Sequence, residues 1–287
     1  INKMKNNKIL SIVVTFNGSI WIDKCLGSLK DSELKTSIIV IDNGSKDDTV
    51  EKVRNAYPDV RLIQTEENLG FGKANNIGLQ IALKEGFDYV FLLNQDAWVE
   101  KDTVENLIKI HENYPEYGIL SPIHKTGGNS LDRNFMNYIN AEYAPGLLSD
   151  FILKKQKKEV YDTKFVNAAI WLLPVSTINT IGTFLPIFNH YGEDDNFVDR
   201  CLYHNIRIGI VPKLFGVHDR LQDGNSPENY SYLKFKNYVF SHILIIILNP
   251  NNNKKDKIAL IMLILIKNLY RRPVPTALSV IKVALNL

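Results

Sequence analysis

Two polar clusters carry the chemistry this sequence can offer. The first, Asn94-Gln95-Asp96, follows an unbroken apolar run, Tyr89-Val90-Phe91-Leu92-Leu93. A run of that length, after Gly86-Phe87-Asp88 and before a helix-like segment, predicts a strand covered on both faces. Open α/β sheets bind ligands beyond the carboxyl ends of their strands, so Asp96 stands where a carboxylate can face a metal and phosphate oxygens. The second cluster is His190-Tyr191-Gly192-Glu193-Asp194-Asp195-Asn196-Phe197-Val198-Asp199-Arg200. Its crowded acids suit the positive end of a helix dipole, and a carboxylate there could also take a proton from a hydroxyl. Phe215-Gly216-Val217-His218 adds an imidazole, a group able to share a divalent cation with a carboxylate. Each has a plainer reading: Asp96 as a cap before the next helix, the acidic turn as a helix start, His218 as a satisfied core or surface group.

The elements that must position these residues alternate. Residues 9–15 predict a strand, 20–29 a helix, 37–41 a strand, 46–57 a helix with Asp47-Asp48 in its first turn and Pro58 beyond its end. Residues 60–63 then read as a strand, Asn68-Leu69-Gly70-Phe71-Gly72-Lys73 as a loop, and 74–85 as a helix leading to the strand at 89–93. Such alternation predicts an α/β fold, a mainly parallel sheet flanked by helices on both faces. A helix at 100–114 and strands at 117–123, 165–173 and 206–211 follow, while 124–160 shows poor periodicity.

The first four strands all end in polar tips: Thr15 and Asn17, Asp42, the loop from Asn68 to Lys73, and Asp96. Four such tips on one rim suit a nucleotide. An Asp can accept a hydrogen bond from a pyrimidine ring N–H, and a glycine loop lets backbone or Lys73 approach phosphate. Gly70-Phe71-Gly72 lacks the full dinucleotide fingerprint, and no P-loop lysine pattern occurs.

Val13-Val14-Thr15-Phe16-Asn17, Val40-Ile41-Asp42-Asn43-Gly44-Ser45, Asn68 to Gly78 and Leu93-Asn94-Gln95-Asp96 together resemble the family-two inverting glycosyltransferases of GT-A (Rossmann-like) fold. Within that family the Leu-Asn-x-Asp form is most similar to bacterial rhamnosyltransferases of capsule and O-antigen assembly. The resemblance spans roughly residues 9 to 220. It implies a nucleoside diphosphate sugar donor contacted by Thr15, Asn17, Asp42, Gly72, Lys73 and Asn76, and by Asn94, Gln95 and Asp96 at the strand tip. It also implies Asp96 and His218 as ligands of a divalent cation, Mg²⁺ or Mn²⁺. Asp194 becomes the base that deprotonates the acceptor hydroxyl, with Glu193 orienting the acceptor or supporting the base. The expected donor is dTDP-rhamnose, with a UDP-sugar as the alternative, and the expected acceptor is a glycan or polyprenyl-linked glycan. Rival readings are a nucleotidyltransferase that makes the activated sugar and a non-catalytic nucleotide- or glycan-binding protein.

At 287 residues with 45% hydrophobic and 23% charged residues, the chain has an ordinary globular composition. Cys25 and Cys201 have no metal-ligand spacing and are expected to be reduced core thiols of a cytoplasmic protein without a secretory signal. Residues 1–227 are read as the catalytic domain, with a nucleotide-sugar half to about 123 and an acceptor half from about 124. They carry 25 basic and 29 acidic residues, whereas 228–287 carry 9 and 2. This basic, Ile- and Leu-rich tail suggests helices that pack on the domain and reach an anionic membrane surface through 243–272, at the inner face of a bacterial plasma membrane. Nucleic acid is not expected as a partner, since long apolar runs have little to do on a phosphate backbone. The basic run Lys154-Lys155-Gln156-Lys157-Lys158 reads as a solvated face, with contact to an anionic acceptor as the alternative.

Overall fold

The computed structural model describes residues 7–155, 158–188, 191–220 and 232–269. The predicted alternation is present in its first half: β1 (Ile9–Thr15), α1 (Ile22–Lys30), β2 (Ser37–Asp42), α2 (Thr49–Ala56), β3 (Arg61–Gln64), α3 (Phe71–Lys84) and β4 (Tyr89–Asn94). The second half runs β5 (Ala97–Val99), α4 (Thr103–Asn113), β6 (Tyr117–Lys125), α5 (Leu147–Ile152), β7 (Tyr161–Asp162), β8 (Ile170–Pro174), α6 (Val175–Ile181), α7 (Glu193–Tyr203) and β9 (Arg207–His218). Two further helices follow, α8 (Tyr232–Leu248) and α9 (Lys254–Leu269). One sheet orders the strands 3-2-1-4-8-6-9-5, with β7 on β9.

The four leading strands pair in parallel, as do β6 and β9, while β8 runs antiparallel between β4 and β6. The sheet is therefore mixed, although the half formed by β3, β2, β1 and β4 is wholly parallel. Alternate residues of the strands feed opposite faces. Leu10, Ile12, Val90 and Leu92 join α3, α6 and α7 in one core, whereas Ile9, Val13, Phe91 and Leu93 join α1, α2 and α4 in the other. Burial on both faces is why these strands read as continuous apolar runs.

Several expected boundaries move. Helix α3 begins at Phe71, because Gly70 makes the turn at φ 85°, so Gly72 and Lys73 lie in its first turn and not in a loop. The strand expected at 165–173 begins at Ile170; residues 165–167 are irregular and 168–169 turn, with Ala169 N–H donating to the Asn167 carbonyl. The strand expected to end at 211 continues to His218 through an irregularity in which Pro122 pairs with Val211 but Ile123 with Phe215. Its Pro212-Lys213 step interrupts the apolar pattern, and a bulge absorbs the interruption.

Beyond β9, α8 buries Val239 and Ile243 with Ile247 and Ile264 around them. Asn251 Nδ2 donates to the Asp199 carbonyl of α7 at 2.8 Å, tying the tail to the domain. The domain boundary read at residue 227, His190 and the residues after 269, including the end of the 243–272 segment, lie outside the described residues. No helix of the described residues is long and apolar enough to cross a membrane.

Candidate active site

The carboxyl ends of the parallel strands open into a cleft of about 920 Å³. Strand β5 reverses the chain straight after Asp96 and pairs antiparallel with the end of β9, setting Ala97 opposite His218. Asp219 N–H donates to the Asp96 carbonyl at 2.7 Å and closes that pairing. As a result His218 Nε2 lies 3.5 Å from Asp96 Oδ1, and both side chains line the cleft. Burial works to raise the Asp96 carboxyl, and the neighbouring His218 outweighs it, holding the group below its ordinary value. Behind the imidazole, Asp132 Oδ2 lies 3.6 Å from His218 Nδ1 and 3.4 Å from Arg220 Nε. Asp132 is itself held by Asn134 N–H at 2.7 Å on its other oxygen. His218 Nδ1 and Asp132 Oδ2 are both buried without a hydrogen bond of good geometry.

Among the described residues no three His, Cys, Asp or Glu side chains gather as a complete metal cage. Asp96 and His218 offer one oxygen and one nitrogen side by side at the cleft. A divalent cation held there would take its remaining ligands from substrate oxygens and water, as Mg²⁺ commonly does beside phosphates.

Gln95 locks the tip of β4 to that of β1. Its Oε1 accepts from the Thr15 hydroxyl at 2.7 Å and Phe16 N–H at 2.8 Å, and its Nε2 donates to the Phe16 carbonyl. A Cβ at Gly18 would meet Gln95 Oε1 at 2.3 Å, so the lock requires glycine there. Thr15, expected at the donor, is buried with its hydroxyl engaged by Gln95. Asn76, also expected at the donor, bonds the backbone N–H and carbonyl of Phe184 through its amide and clips α3 to the segment after α6. Gly72 packs against Phe184 and Glu193, with both Cβ atoms 3.2–3.3 Å from where its own would stand. Asn17 lies exposed with φ 49°, and its Oδ1 accepts from Lys46 N–H. Asp42 is buried beneath the rim; Oδ2 accepts from Ser45 N–H while Oδ1 has no partner. Lys73 is partly buried in the first turn of α3, and Asn94 lines the cleft.

The opposite wall is the start of α7. Gly192 takes φ 98° at its N-cap, and a Cβ there would strike Phe188 and Ile245, so glycine lets the acidic turn sit against α8. Asp194 accepts from Asp195 N–H at 3.0 Å and Ala168 N–H at 3.4 Å, and burial raises its carboxyl. Glu193 is 5% exposed and is pushed up to about 7 by burial and then by the charge of Asp194. Burial first and the charges of Asp194 and Asp199 next push Asp195 up to about 8, while burial lifts Asp199 to about 6. The wall thus gathers four carboxyl groups that ionise far later than exposed ones, the condition for a general base working near neutral pH.

Asp132, Asn43, Asp195 and Asn249 had no expected role, yet each belongs to the site or its support. Asn43 follows Asp42 directly and could have been found; its Oδ1 accepts from Leu69 N–H at 2.8 Å and its Nδ2 donates to Asn68. Asp132 lies in the aperiodic 124–160 stretch and had no signal at all.

The model of the family described as "Glycosyl transferase family 2" matches residues 11–171. The chain is 28% identical over 146 residues to an N-acetylglucosaminyl-diphospho-decaprenol L-rhamnosyltransferase of Mycobacterium tuberculosis, covering 48% of this chain and 46% of that one. It is 25% identical over 207 residues to the low-salt glycan biosynthesis hexosyltransferase Agl10 of Haloferax volcanii, covering 69% of this chain and 64% of that one. The chain therefore spans about half to two thirds of the length of these relatives. Its fold matches that of a mannosyltransferase from Pyrobaculum calidifontis, solved with GDP-Man and Mn²⁺, at a TM-score of 0.62 and 17% identity over 99% of this chain and 76% of that one.

Proposed function

The chain belongs to glycosyl transferase family 2, and from that premise we propose that it moves a sugar, with inversion, from a nucleoside diphosphate donor to a hydroxyl of a cell-surface polysaccharide precursor. The observation that carries this is one cleft with a carboxylate–imidazole pair, Asp96 and His218, on its strand-tip side and Asp194 on its helical side. A donor whose diphosphate lies against the first and whose anomeric carbon faces the second would be poised for attack by an acceptor oxygen.

In this reading Asp194 takes the proton as the hydroxyl oxygen bonds to the anomeric carbon, and the bond to the diphosphate breaks with its electron pair leaving on the nucleotide. Two backbone N–H groups fix the Asp194 carboxylate, so the base is oriented before substrate arrives. Glu193, packed on Gly72, braces α7 against α3 and supports the base. Asp42 Oδ1 is an acceptor without a donor, the state a pyrimidine ring N–H would satisfy. Asn17, Lys73 and Asn94 complete the donor side, with Gln95 holding the strand tips in register. A divalent cation bound by Asp96 and His218 would neutralise charge on the departing diphosphate.

The donor of choice is dTDP-rhamnose, supported by the similarity to the mycobacterial L-rhamnosyltransferase, whose name also points to a polyprenyl diphosphate-linked acceptor. The basic tail, 243–272, would then touch the membrane that carries such an acceptor. The test is release of nucleoside diphosphate from dTDP-, UDP- and GDP-sugars with and without Mg²⁺ or Mn²⁺. Metal-dependent release from dTDP-rhamnose supports the full reading. Release from a UDP-sugar corrects the donor, and pyrophosphate release from a nucleoside triphosphate would replace the reading with a nucleotidyltransferase.

A further inference from the structure

Helix α5 seats Leu147 in the core and turns Leu148, Phe151, Ile152 and the following Leu153 outward, at 45, 37, 70 and 59% exposure. Single exposed apolar side chains are ordinary; four within six positions on one short helix form a patch. The one acid of the helix is already occupied, because Asp150 accepts from the Tyr161 hydroxyl at 2.6 Å. The chain then folds back, with Lys155 N–H donating to the Asp150 carbonyl, which keeps exposed Lys154 and Lys155 beside the apolar side chains. Lys158 is also exposed, over the Tyr161 ring.

Apolar side chains flanked by Lys154, Lys155 and Lys158 against one exposed acid, Glu159, with the helix's own carboxylate engaged by Tyr161, suit an interface of acyl chains and anionic headgroups. We propose that α5 with Lys154 and Lys155 docks on an anionic membrane surface, a contact separate from the tail. Cleft-lining Tyr143 precedes Leu147 by one short turn and its carbonyl accepts from the N–H of Lys164, another cleft residue. Docking by α5 therefore brings the cleft mouth to the bilayer. The proposal adds to the reading of a lipid-linked acceptor, but its binding step requires no turnover.

The test uses the full chain carrying Ile152→Cys labelled with a polarity-sensitive fluorophore; Cys25 and Cys201 are fully buried, which directs the label to the new thiol. The protein is mixed with vesicles of phosphatidylcholine, alone or with phosphatidylglycerol. Sedimentation with the anionic vesicles and a blue shift of the label are expected. Lys154→Glu with Lys155→Glu in one chain should lower partitioning by at least roughly twentyfold at low salt, with an unchanged melting temperature. Sedimentation without a shift assigns binding to the tail and overturns the proposal, as does failure to sediment. A shift on self-association without vesicles assigns the patch to a second copy and also overturns it. Nucleoside diphosphate release from a soluble donor, measured separately, tests the glycosyltransferase reading whichever result is obtained.

Discussion

Asp132 Oδ2 faces His218 Nδ1 at 3.6 Å, while the other nitrogen of that ring faces Asp96 at 3.5 Å. One imidazole is thus bracketed by two carboxylates, only one of which reaches the cleft. A carboxylate behind a histidine fixes its tautomer and raises its basicity as a ligand, and loss of such a partner typically weakens metal binding roughly 10–100-fold. Asp132→Asn should therefore weaken Mn²⁺ affinity by about that factor with nucleoside diphosphate bound, as titrated by electron paramagnetic resonance. His218→Ala should cost more. Equal affinity in Asp132→Asn would show that Asp132 only anchors its own loop.

Asp194→Asn keeps the side-chain shape and its place beside Ala168 but removes the basic oxygen. Turnover is expected to fall about 10²–10⁴-fold, with donor affinity by calorimetry within a factor of about three of the parent, since only the proton acceptor has changed. Unchanged turnover would remove Asp194 from the chemistry.

The acidic wall predicts where activity is lost on the acid side. Asp194, Glu193 and Asp195 are all raised, so the base is protonated as pH falls through a range well above that of an exposed carboxylate. Asp195→Asn removes one negative charge from beside the base, making its ionisation easier. The acid limb of kcat against pH should move to lower pH, and a limb that stayed in place or rose would disconnect Asp195 from the base.

The parallel half of the fold was legible because its strands are buried on both faces and α2 and α3 end just before Pro58 and Gly86. Asp96, Asp194 and His218 were legible as residue types at element ends. Their proximity was not, since it depends on β5, three residues long, and on a β9 whose pattern breaks at Pro212. Thr15 and Asn76 illustrate the same limit of local pattern: a polar residue at a strand tip or helix start can serve the scaffold or a ligand, and their partners Gln95 and Phe184 come from distant elements. Asp132 and the α8 wall depend on long-range contacts with no local pattern.

The same carboxyl cluster makes stability depend on pH in a direction opposite to acid denaturation. Asp195, at about 8 when folded against 3.8 unfolded, holds a proton in the native state that the unfolded chain has already released. Its contribution is complete below the unfolded value and is lost as pH rises towards 8, after which it is constant. Buried His111 and His124 act in the other sense, since both are lowered, but only below the ordinary imidazole value of 6.5. Between pH 7 and 8 the carboxyl group is therefore unopposed by them, and one such group corresponds to a melting temperature falling by about 2 °C per pH unit in a chain of this size. Calorimetry across that window should show this decline and a shallower slope in Asp195→Asn. A melting temperature that rose from pH 7 to 8 would mean that the wall is already ionised in the folded protein.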